Sequence, residues 1–131
     1  QGDLVGLLEE KDAPAESITV ERVLLDGRPA GSDRHSPVVL MGDSYALVYH
    51  QPISGGIAAQ EAGLPDHLAA ALGFPVEIQA VLGSAANAPR INLARPPRWD
   101  NLAGKKCVVW CFAARELTEA PQGWMKVPVI R

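Results

Sequence analysis

Ser44 closes the tripeptide Gly42-Asp43-Ser44, directly after the unbroken apolar run Val38-Val39-Leu40-Met41. A serine just past a buried strand, behind a glycine that permits a tight turn, projects its hydroxyl and offers nearby backbone N–H groups to an oxyanion. An acyl-accepting nucleophile needs that placement. Glycine, aspartate and serine are also ordinary turn formers, and most such triplets merely end strands.

A serine hydroxyl needs a base to take its proton and a third group to orient that base. Asp33-Arg34-His35 supplies an aspartate and a histidine shortly before Ser44, and His50 follows shortly after it. Each also has a plain reading: Asp33 and His35 as loop residues, His50 as a solvated or core-edge imidazole, and His67 as the solvent side of a helix. Gly83 is either a backbone donor to an oxyanion, where the missing Cβ lets substrate approach, or a turn glycine. Arg115 follows another apolar run. Its fork of donors suits a carboxylate or a sugar oxygen, or else an ion pair with Glu116 or Asp43. Asn87 suits a hydrogen bond within its turn, and Trp99 and Trp124 suit packing or stacking on sugar rings.

The elements that must position these groups follow from apolar patterning. Pro37 opens the Val38–Met41 run, whose continuous apolar character predicts a central strand covered on both faces. Residues 17–25 alternate enough to predict an edge strand, stopped by the turn signal Asp26-Gly27-Arg28-Pro29, and residues 30–36 are loop by composition. Leu64, Leu68 and Leu72 fall at helical spacing, with Pro65 at the start and Gly73 where a C-terminal cap belongs. Further strands are expected over residues 74–82 and 106–112, a helical link over 90–94, a short amphipathic turn or helix over 3–12, and one more strand over 124–130. Apolar strands alternating with helical segments point to an α/β fold with a three-layer, open, mostly parallel sheet. In such a sheet ligands bind at the carboxyl ends of the strands, here Gly42-Asp43-Ser44, Gly83-Ser84 and Ala114-Arg115.

Bulk composition narrows the function classes. The chain of 131 residues fits one domain, with 47% apolar and 21% charged residues. A net charge of −3 without any Lys/Arg cluster argues against nucleic acid, which requires a concentrated basic face. The sequence has no apolar run approaching the about 18 residues of a membrane helix. Cys107 and Cys111 are four residues apart. On a strand that is about 13 Å, beyond disulfide reach, so both read as buried thiols and neither a metal site nor a cofactor is expected.

Three segments carry a resemblance. Val38 to Tyr45, then Ala62-Gly63-Leu64 with Leu68 to Gly73, then Val108 to Leu117 with Gly123-Trp124, resemble the SGNH-hydrolase-like domain of the alginate O-acetyltransferase family and its wider relatives. The match is ordered along the chain over roughly residues 37 to 128. The resemblance implies an SGNH-hydrolase or flavodoxin-like sheet with Ser44 as the nucleophile, moving acetyl groups to polysaccharide hydroxyls in the bacterial periplasm or cell envelope. Partner proteins in a membrane complex are implied as well. It matches Arg90 to an arginine of those relatives and gives Arg115 a site-shaping place, within the pattern Trp110, Arg115, Leu117. Where the alginate proteins carry a glutamate after the tryptophan, this chain has Cys111, which points away from alginate itself. The family's Asp-x-His pair lies well upstream of its serine, so the pair is expected before residue 1 and the chain is expected to be the C-terminal portion of a longer protein. A carbohydrate acetylesterase, or a carbohydrate-binding module without chemistry, fits the same residues.

Overall fold

The structure, a computed structural model, describes residues 17–53, 58–83, 85–95, 102–120 and 123–128. The helix expected over 3–12, Ser84 and Trp99 lie outside these residues. Strand β1 (Val38–Gly42) is buried along its whole length, as an unbroken apolar run requires. It is the middle of a three-stranded parallel sheet. Strand β2 (Glu77–Ala80) lies on one side, with Leu40 opposite Ile78, and strand β3 (Cys107–Cys111) on the other, with Leu40 opposite Val109.

Side chains alternate across a strand, so β1 feeds two cores. Val38 and Leu40 pack with Val76, Leu68, Phe74 and Ile78 on one face. Val39 and Met41 pack with Leu93, Leu102 and Trp110 on the other. Leu68 belongs to helix α1 (Leu64–Leu72) and Leu93 to helix α2 (Asn87–Ala94), so helices cover both faces in an α/β arrangement. In α1 the Asp66 carboxylate accepts the Gly63 N–H at 2.9 Å, and Gly73 ends the helix at φ +76° with its N–H on Ala69 O. Leu64 and Leu72 are exposed, and burial falls on Pro65, Asp66 and Ala69, while Leu68 is the leucine of the three that reaches the β1 core.

Several expectations change. Residues 17–25 form no strand. Ile18 and Leu24 are exposed, Val23 N–H bonds to Glu61 O in a loop, and Leu25 pairs only with Arg28 around the Asp26-Gly27 turn. An alternating pattern makes a strand only where it meets a partner edge, and this segment is held instead against Glu61, while Ser32 takes the start of the β2 edge at Val76. Residues 123–128 are not a strand either. Cys107 is exposed and Cys111 partly buried, so the pair of buried thiols is corrected: β3 borders the sheet, and among the described residues no helix covers its first residues.

Beneath the amino ends of the strands, the Lys105 ammonium lies 2.6 Å from the Glu77 carboxylate, both buried, and reaches the carbonyls of Arg34 at 2.6 Å and Ser36 at 2.7 Å. The second Glu77 oxygen takes the Gln79 amide at 2.5 Å. A charge in this interior requires such saturation.

Candidate functional site

The carboxyl end of β1 is shaped by sterics first. A Cβ on Gly42 would stand 2.3 Å from the Ala46 Cβ and 3.1 Å from Cys111 O, so only glycine lets the following turn fold back against the strand. That turn is a 3-10 helix, Ser44–Leu47, capped by Asp43. The buried Asp43 carboxylate spends one oxygen on the Tyr45 N–H at 2.9 Å and the other on the Ala113 N–H at 3.1 Å. Asp43 therefore fixes the serine turn and the chain leaving β3 in one bracket.

Ser44 is the first residue of the turn and is partly exposed, next to the exposed Tyr45. With Tyr45 N–H on the Asp43 side chain and Ala46 N–H on Asp43 O at 3.2 Å, the Ser44 N–H has no acceptor among the described residues. It is an orphan donor of the kind that helix starts present to anions. The strand order β2-β1-β3 means that the chain leaves β1 to one side and later returns on the other. Crevices in open α/β sheets form at the carboxyl ends beside such a reversal, where Ser44 stands.

At the end of β3, Arg115 opens the short helix α3 (Arg115–Thr118) and is exposed. Its suggested acidic partners are engaged elsewhere: Glu116 accepts the Ala86 N–H at 3.2 Å, and Asp43 is bracketed as above. Gly83 sits just beyond β2 at φ +67°, exposed, with open space where a Cβ would be. It has the backbone of a turn glycine on the same rim as Ser44. Cys111 borders the site, and its thiol is pushed above the ordinary value by burial first and by the Asp43 charge second.

Arg90 is not a solvated surface side chain. Its guanidinium stands 5.8 Å from the Trp110 ring and 5.5 Å from the Trp124 ring, while its nitrogens bond Ala86 O at 3.2 Å and Asn87 Oδ1 at 2.5 Å. Trp110, Phe112 and Trp124 form one cluster with centroids 5.1 to 5.4 Å apart, and Trp124 Nε1 donates to Glu116 O at 3.0 Å. Trp124 is thus a packing residue, and Asn87 begins α2 with its side chain on Arg90.

The histidines divide in space. Asp33 accepts the His35 N–H at 2.8 Å and gives its own N–H to Val76 O, in a turn at the amino ends of the strands. Five residues of β1 separate that turn from Ser44, roughly 13 Å of extended chain. His50 lies behind the serine turn, its N–H on Leu47 O. Both Asp66 oxygens approach His50 Nδ1, at 3.0 and 3.1 Å, and Asp66 is almost wholly buried. No hydrogen bond joins either imidazole to Ser44 among the described residues. His67 is exposed. The Asp66 partner of His50 escaped the sequence reading, and the sole available signal was an acidic residue at the third position of a helix after Gly63. No group of three or more potential metal ligands occurs among the described residues. None of the helices there is long and apolar enough to cross a membrane.

Comparison with protein-family models, with curated proteins and with solved structures finds no match to this chain.

Proposed function

We propose that the carboxyl end of β1 is an acyl-transfer site of the SGNH-hydrolase-like kind, with Ser44 as the nucleophile of an O-acetyltransferase acting on a polysaccharide hydroxyl. One observation carries the reading: a partly exposed serine opens the turn two residues beyond the buried central strand of a parallel sheet, where the strand order reverses. Ser44 Oγ gives its proton to a base and bonds to the acetyl carbonyl carbon. The oxyanion rests on the Ser44 N–H, with Gly83 on the same rim as a second donor. Collapse expels the donor's leaving group, which takes the proton. The acceptor hydroxyl then attacks the acetyl-serine, its proton passes to the base, and the serine leaves reprotonated. Arg115 shapes the crevice rim toward an acidic or hydroxyl-rich acceptor. His35 lies at the other end of β1 and His50 is held by Asp66, so this reading takes its histidine base from outside residues 1–131.

The test is acetylation by p-nitrophenyl acetate of a longer form carrying upstream residues, read by mass spectrometry of the Ser44 peptide. An acetyl group on Ser44, lost in Ser44→Ala, is expected. Label elsewhere only, or none, overturns the proposal. The placement of His35 and His50 favours a second reading, a crevice that binds polysaccharide without chemistry. Under it the longer form gives no acetyl adduct, and Ser44→Ala leaves polysaccharide affinity unchanged in calorimetric titration.

A further inference from the structure

The outer edge of β2 is half occupied and half open. Within a strand, successive residues turn their N–H and C=O to opposite edges. Val81 N–H points inward to Gly42 O at 3.2 Å, whereas Val76 O and Ile78 N–H point outward, to Asp33 N–H at 3.1 Å and Ser32 Oγ at 3.0 Å. By the same alternation the Ile78 C=O and the Ala80 N–H and C=O face outward. No strand of the described residues pairs with them on that side.

A groove runs along this edge on each face of the sheet. On the α2 face, about 600 Å³ is lined by Ser32, Arg34, Glu77, Gln79, Asn92 and Arg95. On the α1 face, about 510 Å³ is lined by Leu47, His50, Gln51, Ala80 and Leu82 among others. Those volumes suit a few side chains of an extended segment, not a folded partner. Charge differs between them. Lys105 neutralises Glu77, so the exposed Arg34 and Arg95 leave the first groove positive on a chain of net charge −3. The second groove is uncharged and mixed, with Leu47, Ile78 and Leu82 beside Ser32, Gln51 and a partly buried His50 already engaged by Asp66.

We infer that β2 accepts an extended peptide of a partner protein as an added strand, one in which acidic and apolar residues alternate. Strand addition gives affinity through main-chain bonds, here to Ile78 C=O and to Ala80, while alternate side chains fall on opposite faces. Acidic side chains then meet Arg34 and Arg95, and apolar ones meet Leu47 and Leu82. Ser32 marks where the added strand must stop, because it already holds Val76 and Ile78. This inference is independent of the chemistry proposed for Ser44.

The probe is a fluorescein-labelled synthetic peptide alternating glutamate with leucine or valine, titrated with the full chain by fluorescence polarisation. Saturable binding is expected. It should weaken roughly tenfold or more when lysine replaces glutamate, and by a similar factor with Arg34→Glu/Arg95→Glu. Backbone N-methylation of the peptide at alternate positions should abolish it in one register. The Ala80 amide should gain hydrogen-exchange protection in the complex. Equal affinity for the lysine peptide, indifference to N-methylation in both registers, or an unprotected Ala80 amide overturns the proposal. An unaltered circular dichroism melt of the arginine variant separates lost binding from lost folding.

Discussion

The Asp43 carboxylate and the Ala113 backbone N–H are joined at 3.1 Å, which ties the end of the central strand to the chain leaving its neighbour. The other oxygen holds the Tyr45 N–H, so a single buried side chain organises the turn that carries Ser44. Removing it unbinds two backbone donors. Asp43→Ala is expected to lower unfolding stability by about 2–4 kcal/mol, counting one to two for each donor left without its acceptor. Urea unfolding measures this, and an unchanged midpoint would show that the bracket contributes nothing.

Gly42→Ala sets a methyl group against Ala46 and Cys111 O. An overpacked site of this kind costs about 1–3 kcal/mol. Adding Ala46→Gly removes the nearest obstacle, so the double variant should recover part of the loss, a non-additive signature of direct contact. Thermal melts of the three variants decide it, and strict additivity refutes the clash.

Lys105→Met strands the Glu77 carboxylate in the interior and should cost about 3–5 kcal/mol. Replacing both, Lys105→Met with Glu77→Leu, should come back toward the parent chain, since a well-packed apolar pair substitutes for a satisfied buried ion pair. A double variant weaker than Lys105→Met alone contradicts that account.

The two thiols should differ in reactivity. Cys107 is exposed, whereas burial and the Asp43 charge hold Cys111 above its ordinary titration range. At pH 8 iodoacetamide should therefore modify Cys107 first, because the thiolate is the reacting species. As pH rises past the ordinary thiol range, the Cys111 rate should keep climbing, because its thiol is held above that range. Asp43→Asn removes the smaller of the two causes, so Cys111 should react slightly sooner. Peptide mapping at timed intervals shows the order, and equal rates at pH 8 reject it.

The sequence made some of this legible and hid the rest for physical reasons. Val38–Met41 between Pro37 and Gly42 reads as a buried strand because few other structures absorb four consecutive large apolar residues, and β1 is that strand. Pro65 and Gly73 mark α1 because proline and glycine act through their own backbone geometry. Residues 17–25 carry a strand-like alternation yet join no strand, since pairing depends on where distant segments such as Ser32 land on β2. The placement of Arg90 over the paired rings of Trp110 and Trp124 depends on three separate segments meeting, which no local spacing encodes. For the same reason Asp66 gave no sign of reaching His50, and Lys105 none of lying under Glu77. The placement of Ser44 was readable because it follows the strongest local signal. The surroundings that decide its chemistry come from distant residues.

The middle position of β1 also sets an order of assembly. Both its neighbours come later in the chain, and β3 arrives only after β2 and α2 have been made. During synthesis one flank of the most apolar strand therefore waits bare, and the ammonium that neutralises Glu77 is missing for the same interval. Such sequence-distant pairing is slow to form and open to misassociation. A nascent chain halted before residue 105 should consequently call on a holding chaperone, and release past residue 111 should end that need.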